Sequence, residues 1–128
     1  MRQYLGSAAV QALAAEFMAA GKPVGAICHG VLVLARGGAL PGRRTTCLPK
    51  YLERLGAVGV SWKRGYSLRT YPGYVEDEVR AALADPDRDF ERGPLPTTPW
   101  ALEDGNYVSA RWFGDAEVFA RRFLERLG

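Results

Sequence analysis

The segment Val24-Gly25-Ala26-Ile27-Cys28-His29-Gly30 constrains this chain more than any other stretch. Its first four residues follow a Gly21-Lys22-Pro23 turn, are too few for a helix, and are bounded as a buried strand is, so they read as a central parallel strand. From His29 to Arg36 the residues Val31, Leu32, Val33, Leu34 and Ala35 are almost continuously apolar, and Gly37-Gly38 supplies a stop. This predicts a short helix buried on most sides. A strand that runs straight into a helix needs a sharp turn, and the residue at the turn is a thiol. Such a turn projects the side chain out of the sheet, the helix N-terminus stabilises a thiolate, and the next backbone N–H can point at a developing oxyanion. A nucleophile elbow has this shape, and the small residues it requires are present in Gly25, Ala26 and Gly30. A cysteine that merely fills a strand–helix junction has the same spacing, so spacing alone leaves both readings open.

His29 is the only histidine. Adjacent helical positions do not face each other, so His29 reaches Cys28 only if the turn holds Cys28 outside helical geometry. Otherwise its ring stands in solvent or against a carboxylate. One histidine and two cysteines are too few soft ligands for a zinc site within one chain, and neither a metal nor another cofactor is expected. Cys47, with no basic neighbour nearer than Arg44 and Lys50, reads as a core thiol. A Cys28–Cys47 bridge is disfavoured because the N-terminus Met1-Arg2-Gln3-Tyr4-Leu5-Gly6-Ser7 has no apolar export segment, which also makes the cytoplasm the expected location.

The remaining elements follow from periodicity. Ser7 caps a helix whose apolar stripe is Val10, Leu13, Ala14, Phe17 and Met18, stopped by Gly21 and Pro23. Residues 43–48 read as a strand, Pro49 opens a helix through Leu52 and Leu55 to Gly56, and 57–62 read as a further strand. Helical spacing of Val75, Val79, Ala82 and Leu83 covers 74–84, and the proline-rich 85–99 reads as irregular. Asp104-Gly105-Asn106 predicts a hairpin between 100–103 and 107–110. The closing helix presents Ala116, Phe119, Ala120, Phe123, Leu124 and Leu127 as a buried stripe. The acidic run Glu76-Asp77-Glu78 reads as a solvated first helical turn more than as a source of a carboxylate for the Cys28-His29 site, and Arg111, Arg121, Arg122 and Arg126 as decoration of a solvated face. Trp62, Tyr66, Tyr71, Tyr74 and Trp100 read as core or contact residues more than as substrate ligands. The alternation places the chain among α/β folds with a mostly parallel sheet, although such folds usually open with a strand and this chain opens with a helix.

A length of 128 residues allows one domain. The 17 basic and 14 acidic side chains are spread along the chain, which argues against a nucleic-acid partner. The longest apolar stretch, Val24 to Ala35, is far short of the roughly 20 residues a spanning helix needs, so no membrane partner is expected.

Ala26-Ile27-Cys28-His29-Gly30, preceded by Gly21-Lys22-Pro23-Val24 and followed by Gly42-Arg43-Arg44-Thr45-Thr46, resembles the DJ-1/PfpI family of the class I glutamine amidotransferase-like superfamily. Glu103 to Arg111, followed by a helix carrying Phe119, resembles that family's closing hairpin and final helix, so the likeness spans nearly the whole chain. The resemblance implies a flavodoxin-like three-layer sandwich and Cys28 as nucleophile. It also implies His29 as general base or orienting partner, with the backbone at His29 and Gly30 as the oxyanion site. Members carry two or three βα units before this point, including a glycine-rich turn that donates a second oxyanion N–H and an acidic residue beside the cysteine. Met1-Arg2-Gln3-Tyr4-Leu5 resembles the residues after that turn, so 1–128 resembles the C-terminal portion of one such domain, with the sandwich incomplete at its front.

Three functions follow as expectations. The first is a hydrolase of amide or peptide type, or a glyoxalase-like enzyme, acting through Cys28 on a small carbonyl compound or peptide. The second is a redox or stress sensor with an oxidisable Cys28. The third is a fragment inactive by itself. With half an oxyanion hole and an apolar strand left at an edge, the chain alone is expected to be weakly active and to associate, as a homo-oligomer or with the missing N-terminal part. A glutaminase is disfavoured, since no histidine follows residue 29.

Overall fold

The computed structural model describes residues 2–56 and 73–128. The expected strand at 57–62, with Trp62, Tyr66 and Tyr71, lies outside them. The chain opens with a single turn, α1 (Arg2–Leu5), and then α2 (Ala8–Ala19), whose N-terminus is capped by Ser7 as its Oγ accepts from the Val10 N–H at 3.4 Å. The strand β1 (Val24–Ile27) follows and passes through one 3₁₀ turn, Cys28–Gly30, into α3 (Val31–Arg36). Val31, Leu32, Val33 and Leu34 of α3 are all buried, as a helix enclosed on most sides requires.

After α3 come α4 (50–56), α5 (Val75–Ala81) and the one-turn α6 (Pro86–Asp89), which Asp85 caps. The chain closes with β2 (Ala101–Asp104), β3 (Tyr107–Ala110) and α7 (Ala116–Leu127). The hairpin forms where Asp104-Gly105-Asn106 predicts it, with Gly105 at φ +60°, a left-handed conformation that a side chain would resist.

The strand order is β1-β3-β2, with β1 parallel to β3 and β2 antiparallel to β3. Leu5, Met18, Ala26, α3, Val75, Val79 and Tyr107 form the core on one face of the sheet, and α7 packs on all three strands. Gly25 makes that second packing possible, since a Cβ there would meet Phe119 Cζ at 2.9 Å and Phe123 Cδ2 at 3.0 Å. Helices on both faces of a three-stranded mixed sheet make an incomplete α/β sandwich among the described residues.

Several expectations are corrected. Residues 43–48 form no strand; Thr45 makes one bridge to Phe90, and the Thr46 N–H is taken by Ser109 Oγ at 3.1 Å. The stripe on α7 is not buried: no residue of the helix is, with Phe119 and Phe123 half-buried, Ala116 and Ala120 exposed, and Leu124 and Leu127 63% and 59% exposed. The helix of twelve residues spans roughly 18 Å while a four-residue strand spans roughly 13 Å, so its last turn overhangs the sheet. On α2, Met18 is buried and Val10 and Ala14 pack on the core, but Leu13 and Phe17 stand in an open groove beside Val24.

Candidate active site

Cys28 follows the last residue of β1 and adopts φ +58°, the left-handed region, which no other non-glycine residue among those described occupies. The strain has a local origin. Ile27 is still extended, at φ −129° and ψ 140°, while Gly30 is already helical, so the chain reverses character within two residues. Because Cys28 is held out of helical geometry, its Sγ lies 3.3 Å from Nδ1 of the adjacent His29. The two residues singled out by the sequence are thus brought together, and both are partly buried.

The electrostatics differ from expectation. A helix N-terminus was expected to lower the thiol pKa, but burial holds Cys28 above its ordinary value. The His29 backbone N–H, directed at the sulfur, pulls the other way, and the charge of Glu53 adds to the rise. α3 has only six residues and begins beyond a 3₁₀ turn, which leaves desolvation dominant. Burial thus favours the thiol form of Cys28, with the His29 ring beside it.

Cys28 opens onto a cavity of about 680 Å³, walled by Ile27 of β1, Leu48 just before α4, Leu52 and Leu55 of α4, and Trp112 and Phe113 from the turn after β3. The aromatic wall is fixed from behind. Arg111 and Asp115 are both fully buried and paired at 2.8 Å, and Arg111 also donates to the carbonyls of Arg92, Pro94 and Thr98. Asp115 accepts the backbone N–H of Trp100 and of Arg111. Arg111 is thus no surface decoration, in contrast to its place among the solvated arginines. Arg121, Arg122 and Arg126 do pair at the surface, with Glu117, Glu125 and Glu103.

Glu76 is also corrected. It is 1% exposed, and its carboxylate accepts from the Lys50 N–H at 2.8 Å and from the Arg92 guanidinium at 2.6 Å, tying α5 to the start of α4. Asp77 and Glu78 do lie at the surface, paired with Lys50 and Arg36. The carboxylate felt at Cys28 belongs instead to Glu53, one Oε of which accepts the Val75 N–H at 3.1 Å. The sequence reading missed it; its one signal is a place on α4 between the apolar Leu52 and Leu55. Cys47 is a core thiol, with no exposure and a pKa driven well up by burial. Among the described residues, no three His, Cys, Asp or Glu side chains gather as a metal site requires, and no helix is long and apolar enough to cross a membrane.

Comparison with known proteins places this geometry. The model of the DJ-1/PfpI family matches residues 2–126. A deglycase of Pyrococcus abyssi is 30% identical over 115 residues, covering 90% of this chain and 49% of the relative, and the deglycase PfpI of Pyrococcus furiosus is 29% identical with the same coverage. The solved Rapid Encystment Protein 24 KDa of Francisella tularensis superposes with a TM-score of 0.68 at 20% identity, covering 98% of this chain and 52% of that one. The chain spans about half the length of the curated relatives it matches. With its flavodoxin-like architecture and a family match across almost every residue, the chain belongs to the DJ-1/PfpI family.

Proposed function

We propose that this chain carries the reactive centre of a cysteine-dependent enzyme acting on a carbonyl compound, of the hydrolase or glyoxalase-like kind. One observation carries the reading: a thiol in left-handed backbone at a strand end, with an imidazole nitrogen at 3.3 Å, faces an open cavity. His29 Nδ1 takes the thiol proton as Sγ attacks the carbonyl carbon; the S–C bond forms and the carbonyl π pair moves to oxygen. Backbone N–H groups at His29 and Gly30 receive that oxyanion. An amide or ester then expels its leaving group, which takes the proton from His29, to give a thioester for hydrolysis; a 2-oxoaldehyde gives a hemithioacetal, whose C1 proton moves to the adjacent carbonyl carbon to leave the thioester of a 2-hydroxy acid, also for hydrolysis. That the relatives are named deglycases supports carbonyl chemistry of this class.

A redox sensor would need a resting thiolate, and burial of Cys28 works against one. Association as a homo-oligomer belongs to the same reading, since no described strand pairs with the outer edge of β1.

The experiment is iodoacetamide labelling against pH on the intact chain, with Cys47 as internal control, beside turnover of ester and aldehyde substrates by the chain and by Cys28→Ser. Selective labelling of Cys28 and loss of turnover in Cys28→Ser support the reading. Equal reactivity of both cysteines, or turnover that survives Cys28→Ser, rejects it.

A further inference from the structure

Resting on Cys28 as the nucleophile, we infer that the carbonyl compound it attacks carries an apolar tail or ring, of medium alkyl or aromatic size, rather than being a short polar dicarbonyl. The cavity beside Cys28 is about 680 Å³, the size of a site for a whole organic ligand and far more than two or three polar heavy atoms need. Among the described residues that line it, the polar side-chain groups are the Cys28 thiol and the Trp112 indole N–H, which is buried and has no hydrogen-bond partner. A hydroxyl or carboxylate drawn against Ile27, Leu48, Leu52 and Leu55 would give up water and gain no partner, so those walls select against it.

The walls come from separate parts of the chain and agree in character. Leu52 and Leu55 descend from α4, and Trp112 and Phe113 stand after β3 with their rings 4.6 Å apart and tilted by 52°. Leu55 and Phe113 are 65% and 83% exposed, so the apolar lining continues outward to the rim, where a polar residue would cost nothing. The Arg111–Asp115 pair flanks the Trp112-Phe113 step on both sides in sequence and is fully buried, which sets the aromatic wall on a rigid support before any ligand arrives.

The probe is a series of N-alkylmaleimides, methyl, butyl and hexyl, reacted with the full chain at one pH. The Cys28 rate constant, located by peptide mass, is divided by that of glutathione with the same reagent. A tail buried in the cavity gains up to about fourfold per methylene, so the normalised rate is expected to rise at least tenfold from methyl to hexyl. In Phe113→Ser or Leu55→Ser, both at exposed positions, the rise is expected to shrink at least threefold, with folding checked by circular dichroism. A flat or falling series with Cys28 still reactive overturns the inference and leaves the nucleophile reading standing; it would also fit a cavity covered by another polypeptide segment. A Cys28 inert to every reagent overturns both.

Discussion

Sγ of Cys28 and Nδ1 of His29 stand 3.3 Å apart although the two residues are neighbours in the chain, a contact owed to the φ of +58° at Cys28. In the proposed reaction the thiol proton passes between them, with no part for a distant histidine. His29→Ala is therefore expected to lower Cys28-dependent carbonyl turnover by about a hundredfold to ten-thousandfold, the span of general-base effects. Single-turnover kinetics on the variant, with its fold checked by circular dichroism, measure this.

The pH dependence has a definite sign. Burial disfavours the thiolate of Cys28, so its pKa lies above the ordinary thiol value, and Glu53 adds to that rise. Iodoacetamide labelling should therefore keep rising about tenfold per pH unit through the range near 8.5 where a free thiol levels off. Glu53→Gln removes one cause and is expected to increase labelling at neutral pH by a few-fold. A level profile above pH 8.5 would contradict the buried environment.

The Arg111–Asp115 pair offers a stability test. Both side chains are fully buried, and Arg111→Met would leave the Asp115 carboxylate and three loop carbonyls without the guanidinium. A loss of about 3–5 kcal/mol is expected, while Arg111→Met combined with Asp115→Leu should lose less because no charge is stranded. Urea denaturation of the three proteins decides the order.

Gly25→Val tests the packing of α7 on β1. Its Cβ would fall 2.9 Å from Phe119 and 3.0 Å from Phe123, so the rings must shift. A loss of about 1–3 kcal/mol is expected by thermal and urea unfolding.

Cys47 makes alkaline stability a further observable. Burial raises its folded pKa well above the ordinary value, so the unfolded chain gives up this proton first as pH rises. The contribution is intact below the ordinary thiol range and is lost above it. Cys47→Ala is expected to flatten the fall of the unfolding midpoint between pH 8 and 10.

What the sequence disclosed was local. The Ser7 cap, the short β1, the enclosed α3 and the Gly105 hairpin each carry their signal within a few residues, and all four are present. The Cys28-His29 step was legible because a strand run, a thiol and a helix stand next to one another. Arg111 was misjudged because its partners, the carbonyls of Arg92, Pro94 and Thr98, come from an irregular loop with no periodicity to announce it. Glu76 was misjudged for a similar reason, since Arg92 reaches it from a distant segment. The direction of the Cys28 pKa was misread because a sequence displays a helix start and conceals desolvation.

The pairing of β1 with β3 places the strand that ends at Cys28 against residues about eighty positions later. Loop closure over such a distance is slow compared with formation of α2 or α3. On the ribosome, Cys28 and His29 are made long before the strand that anchors them and before the Trp112-Phe113 wall exists. The thiol thus has no cavity to open onto until the hairpin docks, and the walls around it arrive in one late step rather than growing with the chain.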